Sequence, residues 1–213
     1  MHNSSSSKLY DVIEQDVMNL HFVHKTLTQL FGSEDRVETL NKAASNCASL
    51  IQNALTDSII LRLTKLLEHT GRGNQTNLVL ESLLSLVDDD LEKQADLEAR
   101  IAELRKQSVG LVAERNKRLA HRDLRTAVSP EVNRHTTTWG QLDEILRLIR
   151  DFMHLIEDHT RQSETYFEGL EAAGDGDCLM YYLSFGVRAT ALRERVVLDR
   201  MPDDVSMREF RGL

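Results

Sequence analysis

Proline is nearly absent: Pro130 and Pro202 are the only two in 213 residues, so almost nothing in the chain interrupts a long helix. Aromatic residues make up only 5%, and with abundant Leu, Glu, Arg and Ala this argues for helix throughout. No segment shows a convincing strand pattern. Cysteine is equally scarce. Cys47 and Cys178 lie far apart, match no Cys-x-x-Cys spacing and sit among apolar neighbours, which predicts two reduced, buried thiols in a cytoplasmic protein. No stretch approaches the ~20 apolar residues of a membrane helix. The N-terminal Met1-His2-Asn3 and serine run lack the apolar core of a signal peptide. The length suits one well-buried domain and falls short of two independent ones.

The formal charge is −8, which counts against tight non-specific hold on nucleic acid, because that affinity comes mainly from basic side chains releasing counterions. Locally the balance reverses. Arg105, Lys106, Arg115, Lys117, Arg118, Arg122 and Arg125 are offset only by Glu114 and Asp123. Such a strip suits brief contact with RNA, and equally suits a solvated helix face.

Apolar spacing of three and four divides the chain into helices. Leu9 through Leu30 predict a first helix ending near Gly32, with Ser33 capping a second that runs from about Val37 to His69. A short helix follows over about 76–87. The Asp88-Asp89-Asp90 run then opens a helix through Leu91, Leu97, Ile101, Leu104 and Leu111, weak at Gly110 and ending near His121. Arg122 to Thr137 reads as a long connection. Thr138-x-x-Gln141 is a capping box opening a helix that extends to about Leu170. Asp177 is positioned to cap a last helix over about 177–200, and the tail after Pro202 reads as loose. With no repeat of fixed period, these elements predict an all-α, up-and-down bundle of long helices.

Metal and nucleotide sites are poorly supported. His21 and His24 share a helix face and His154 lies near Glu157 and Asp158, yet neither Glu-x-x-His nor His-Glu-x-x-His occurs, so surface or boundary histidines are expected and no metal or cofactor. Gly71-Arg72-Gly73 and Asp175-Gly176-Asp177 read as turns.

The richest stretch is Arg115-Asn116-Lys117-Arg118-Leu119-Ala120-His121, followed by Arg122-Asp123. An arginine fork binds phosphate oxygens, a histidine moves protons near neutral pH, and an amide orients either. Together they are the parts of a metal-free phosphodiester site. The same residues would also suit a helix end, where cationic side chains meet the C-terminal dipole. On an unbroken α-helix six residues turn about 240° and rise ~9 Å, so Arg115 and His121 would not share a face. Either the helix distorts before His121, or two copies of the chain contribute to one cleft.

This stretch resembles the Arg-x(4–6)-His signature of the HEPN superfamily, and within it the AbiU-like branch. Asp57 through Leu67, Asn77-Leu78-Val79-Leu80, the Arg-to-His segment and Thr138-Trp139-Gly140-Gln141-Leu142 recur in that order. The resemblance implies a small helical protein of abortive-infection or toxin–antitoxin systems, acting as a metal-independent endoribonuclease whose composite site forms across a homodimer. Carried over, Arg115 would hold the scissile phosphate, His121 would transfer protons, Asn116 would orient them, and the product would be a 2′,3′-cyclic phosphate. Lys117, Arg118 and Arg122 would follow the RNA backbone, with Asp123 pairing an arginine. A protein antitoxin is a possible partner in such systems. Some HEPN domains bind RNA or protein without cutting, which is the alternative reading.

Overall fold

The computed structural model describes residues 4–71, 77–120, 137–161, 165–169 and 173–199. Every regular element among them is helical, as the composition predicts. They are α1 (Ser4–Phe31), α2 (Glu34–Leu66), a 3-10 turn (Leu80–Leu86), α3 (Leu91–Gln107), α4 (Val109–Glu114), a π turn (Arg115–Ala120), α5 (Trp139–Thr160), a short 3-10 turn (Phe167–Gly169) and α6 (Gly176–Asp199). None of the described helices is long and apolar enough to cross a membrane. The chain groups into two compact units, residues 1–26 with 53–171, and residues 27–52 with 172–213.

In the first unit most of each predicted stripe is buried, although Leu91, at the very start of α3, is 78% exposed. Ile13, Val17 and Leu20 on α1, Ile59 and Leu63 on α2, Leu97 and Leu104 on α3, and Ile149, Phe152 and Ile156 on α5 are all fully buried. Each such side chain stabilises the fold by roughly 1.5–3 kcal/mol. α3 packs on α5, and the 3-10 turn packs on both through Leu80 and Leu83. Two predicted caps form. Asp90 accepts a hydrogen bond from the Lys93 backbone N–H at 3.0 Å, and Thr138 and Gln141 make the reciprocal box that starts α5.

Several ends differ from expectation. α5 stops at Thr160 instead of continuing towards Leu170, because a polar knot turns the chain back. The buried Glu157 carboxylate accepts from the Thr165 N–H at 3.0 Å and from its hydroxyl. Arg161 pairs with Asp11 and Glu14 and covers the Tyr10 ring at 4.2 Å. The helix expected over 76–87 is realised as a 3-10 turn that begins only at Leu80. α2 ends at Leu66 and is interrupted at Ala44, where the backbone is extended (φ −167°, ψ 72°). That interruption spoils the period read through Cys47, whose thiol is exposed, while Cys178 is half-buried. Both thiols are thus more accessible than their apolar neighbours suggested.

The second unit is tied by polar contacts. Gln29 donates to Asp175 at 2.6 Å and to Asp177 at 2.9 Å, and accepts from the Gly176 N–H at 3.1 Å. Arg36 pairs with Asp177 at 2.6 Å. The cap of α6 is Asp175, which accepts from the Cys178 N–H at 3.2 Å, two residues earlier than the predicted Asp177. Asp177 is occupied by Gln29 and Arg36 instead. At the end of α1 a Cβ on Gly32 would lie 2.4 Å from the Thr28 carbonyl oxygen, which explains why the predicted stop is a glycine.

Of the histidines expected at the surface or its boundary, His21 is buried, while His24 and His154 are half-buried. His21 stacks on Phe167 at 5.6 Å, His154 stacks on the same ring at 5.9 Å, and His24 lies 6.5 Å from the Trp139 ring. Burial pushes the His21 pKa down to about 4, with His24 and Arg150 adding to it. His24 moves in the same direction, burial outweighing the attraction of Asp143. A histidine whose pKa falls on folding contributes fully above its unfolded value and loses that contribution as pH drops towards the folded value. Stability is therefore expected to fall by about 3 kcal/mol from His21 as pH goes from 6.5 to 4. Denaturant titrations of wild type and His21→Phe across this window check it; equal acid slopes for the two proteins would place the sensitivity elsewhere.

Candidate functional site

The helix that carries the Arg-to-His segment is built in three pieces. Gln107-Ser108-Val109-Gly110 is a poor helical run, since serine, a β-branched residue and glycine all weaken helices. The break falls at Ser108 rather than at Gly110. Ser108 adopts φ −90°, ψ 2°, the sparsely populated bridge region in which functional residues recur. α4 then lasts only six residues before the backbone widens into the π turn at Arg115. Single π turns are uncommon and concentrate at functional sites. Of the two ways to reconcile Arg115 with His121, distortion of the helix is present in the described residues. His121, Arg122 and Asp123 themselves lie outside them, as does nearly all of the 122–137 connection; only the backbone of Arg118 is described.

Arg115 sits at the start of the π turn with its side chain 24% exposed. Its Nη1 donates to Glu68 Oε1 at 2.5 Å and its Nε donates to Asn116 Oδ1 at 3.2 Å. A guanidinium has five N–H donors. Glu68 and Asn116 fix two of its edges and leave Nη2 without a partner among the described residues. The guanidinium lines a cleft of about 360 Å³ bounded by Thr64, Leu67, Glu68, His69, Arg105, Ser108, Val109, Val112 and Arg115. The Ser108 hydroxyl on that wall is buried and has no hydrogen-bond partner among the described residues.

Arg105 occupies the same cleft in a different role. Its Nε donates to the Leu67 carbonyl at 3.0 Å, Nη2 to the Glu68 carbonyl at 2.9 Å, and Nη1 to Glu81 at 3.1 Å. Those carbonyls directly follow the α2 C-terminus, so Arg105 ties down the turn that ends a helix belonging to another part of the chain. Glu81 also accepts from the Thr70 N–H at 2.9 Å and lies 3.7 Å from His69. With Arg105 and then the Thr70 N–H as the main causes, its carboxyl is held down at about 2. The basic strip is accordingly narrower than its sequence suggests. Arg105 is committed to structure, Lys106 pairs with Glu103 at 3.4 Å, and Asn116 and Lys117 are exposed. Glu114, counted as an offsetting surface acid, is buried and accepts from Thr137 at 2.9 Å.

Glu68, His69 and Ser108 had not been singled out from the sequence. The available signal was adjacency, since the Asp57-to-Leu67 block ends one residue before Glu68. No three His, Cys, Asp or Glu side chains group as metal ligands among the described residues.

The family model described as AbiU2, a HEPN model, matches residues 7–175 and so includes α1 through α5 and the whole Arg-to-His segment. No curated protein and no solved structure gives a significant match. With the match covering most of the chain, the chain belongs to the AbiU2 family and is an abortive-infection-related HEPN domain.

Proposed function

We propose that this chain is a metal-independent endoribonuclease that cleaves RNA by attack of a 2′-hydroxyl on the adjacent phosphorus. The observation that carries the reading is Arg115, held by Glu68 and Asn116 at the mouth of a cleft with N–H donors to spare. A fork fixed before substrate arrives costs little reorganisation when charge develops on the phosphate. In this reading the P–O2′ bond forms, the P–O5′ bond breaks, and the products are a 2′,3′-cyclic phosphate and a 5′-hydroxyl. The 2′-hydroxyl proton goes to a neutral imidazole and the leaving oxygen takes a proton from a protonated one. Two His121 side chains in a two-fold homodimer supply that pair. Asn116 steadies Arg115, while Lys117, Arg118 and Arg122 follow the RNA backbone and Asp123 pairs an arginine. A cytoplasmic defence setting, with a protein antitoxin as a partner, completes the proposal.

The alternative is an RNA- or protein-binding module without catalysis. It draws on the Arg115–Glu68 pair, which already places a carboxylate on the guanidinium edge that would face a phosphate. One experiment separates the two. Cutting of single-stranded RNA should survive excess chelator, leave the cyclic phosphate, weaken as salt rises, and stop when the 2′-hydroxyl at the cut site is replaced by hydrogen. Chelator-sensitive cutting, or equal cutting of DNA, places the chemistry elsewhere; binding without cutting favours the module.

A further inference from the structure

α6 begins at Gly176, one residue beyond the segment matched by the family, and it carries an apolar stripe that stands exposed among the described residues. Its inner side is met through Met180, which is buried, and through the half-buried Leu183 and Val187. The outer side carries Cys178, Tyr182, Phe185, Ala189, Leu192 and Val196, spaced by four, three, four, three and four. That alternation is the seam of a two-stranded coiled coil. Tyr182, Phe185, Leu192 and Val196 are 67%, 63%, 62% and 49% exposed. From Arg188 to Val196 every residue is exposed, although so short a free helix is marginal in water without tertiary support.

We infer that the outer face of α6 is a self-association surface, on which a second copy of this chain lays its own α6 antiparallel. Three observations choose that occupant and direction. From Ala173 to Val187 the chain has two acids, Asp175 and Asp177, and no lysine or arginine, whereas Arg188 to Val196 holds three arginines against Glu194. Parallel pairing stacks the arginines of both copies together; antiparallel pairing lays each basic half along the other's base-free half.

Second, the seam is self-complementary when the two-fold axis passes Val187. Phe185 then faces Ala189 of the second copy, Tyr182 faces Leu192 and Cys178 faces Val196, so each of the two aromatic side chains meets a smaller one. Third, Gly186 lies beside that axis, and a Cβ there would meet nothing within 4 Å. The chain's own packing does not require this helix-weakening residue, whereas close approach of a second backbone does. Covering the exposed aromatic and aliphatic groups would remove on the order of 500 Å² of apolar surface per copy, a large share of the ~800 Å² typical of one side of a stable interface.

This surface holds whether or not the chain cuts RNA, and its test reads assembly alone. Sedimentation of the full chain should show a dimer at micromolar concentration. Phe185→Glu with Leu192→Glu should weaken it by about 100-fold or more, with the melting transition kept because both side chains are exposed. In a Cys47→Ser background, Val196→Cys should give an oxidised dimer joined through Cys178 of the second copy, and adding Cys178→Ser should abolish it. Self-association that is unchanged by the double substitution, a Val196→Cys protein that forms no oxidised dimer, or a crosslink at position 196 that persists after Cys178→Ser would overturn the proposal.

Discussion

Arg115→Ala should leave a folded protein that cuts RNA about 10²–10³-fold more slowly, the cost of removing one donor set from a developing oxyanion. Little stability goes with it. The Arg115–Glu68 pair is partly exposed, with Arg115 at 24% and Glu68 at 41%, and pairs of that kind contribute about 0–1 kcal/mol. Arg115→Lys keeps the charge but loses the planar fork, so it should recover phosphate affinity better than rate. Glu68→Gln keeps an acceptor for Nη1 and should stay within a few-fold of wild type; a loss as large as that of Arg115→Ala would make the pair itself the functional unit. His121→Ala should fall by roughly 10²–10⁴ through loss of proton transfer. Single-turnover cleavage beside thermal melts decides among these outcomes. If Arg115→Ala cuts as well as wild type, the site has been misassigned.

What the sequence disclosed follows from what its periodicity encodes. Apolar spacing located the cores of α1, α3 and α5 because each presents one face to a common interior, and local chemistry marked Asp90, Thr138 and Gly32 because caps and stops are decided within four residues. It missed the interruption at Ala44, where no glycine or proline marks the break and the flanking residues are exposed. It ran α5 too far because the stop depends on Glu157, Arg161 and Tyr10 meeting residues distant in sequence. The candidate site divided along the same line. The signature placed Arg115 and Asn116 side by side, as a local pattern can, whereas Glu68 and His69 reach the cleft from another segment through tertiary packing. Two arginines ten residues apart on one helical segment looked alike as sequence, and only their partners separate them.

That separation gives the second large effect. Arg105→Ala should destabilise the fold by about 3 kcal/mol, because it leaves the Leu67 and Glu68 carbonyls without their donor and takes from the Glu81 carboxylate its nearest cation, with Thr70 still donating to it. The figure sits at the low end for a broken buried pair, since Arg105 and Glu81 are still 24% and 25% exposed. For a chain of this length the midpoint of melting should drop by roughly 6–12 °C. Acid should erase much of the difference. Glu81 is held at about 2, below its ordinary 4.5, so its contribution is complete above the higher value and is lost as pH falls through the lower one. Wild type and Arg105→Ala should therefore differ most near neutrality and converge towards pH 2. Cleavage by the folded fraction, measured well below the melting point, should stay within a few-fold of wild type. If Arg105→Ala instead melts like wild type and cannot cut, Arg105 is the phosphate ligand and the roles of the two arginines are reversed.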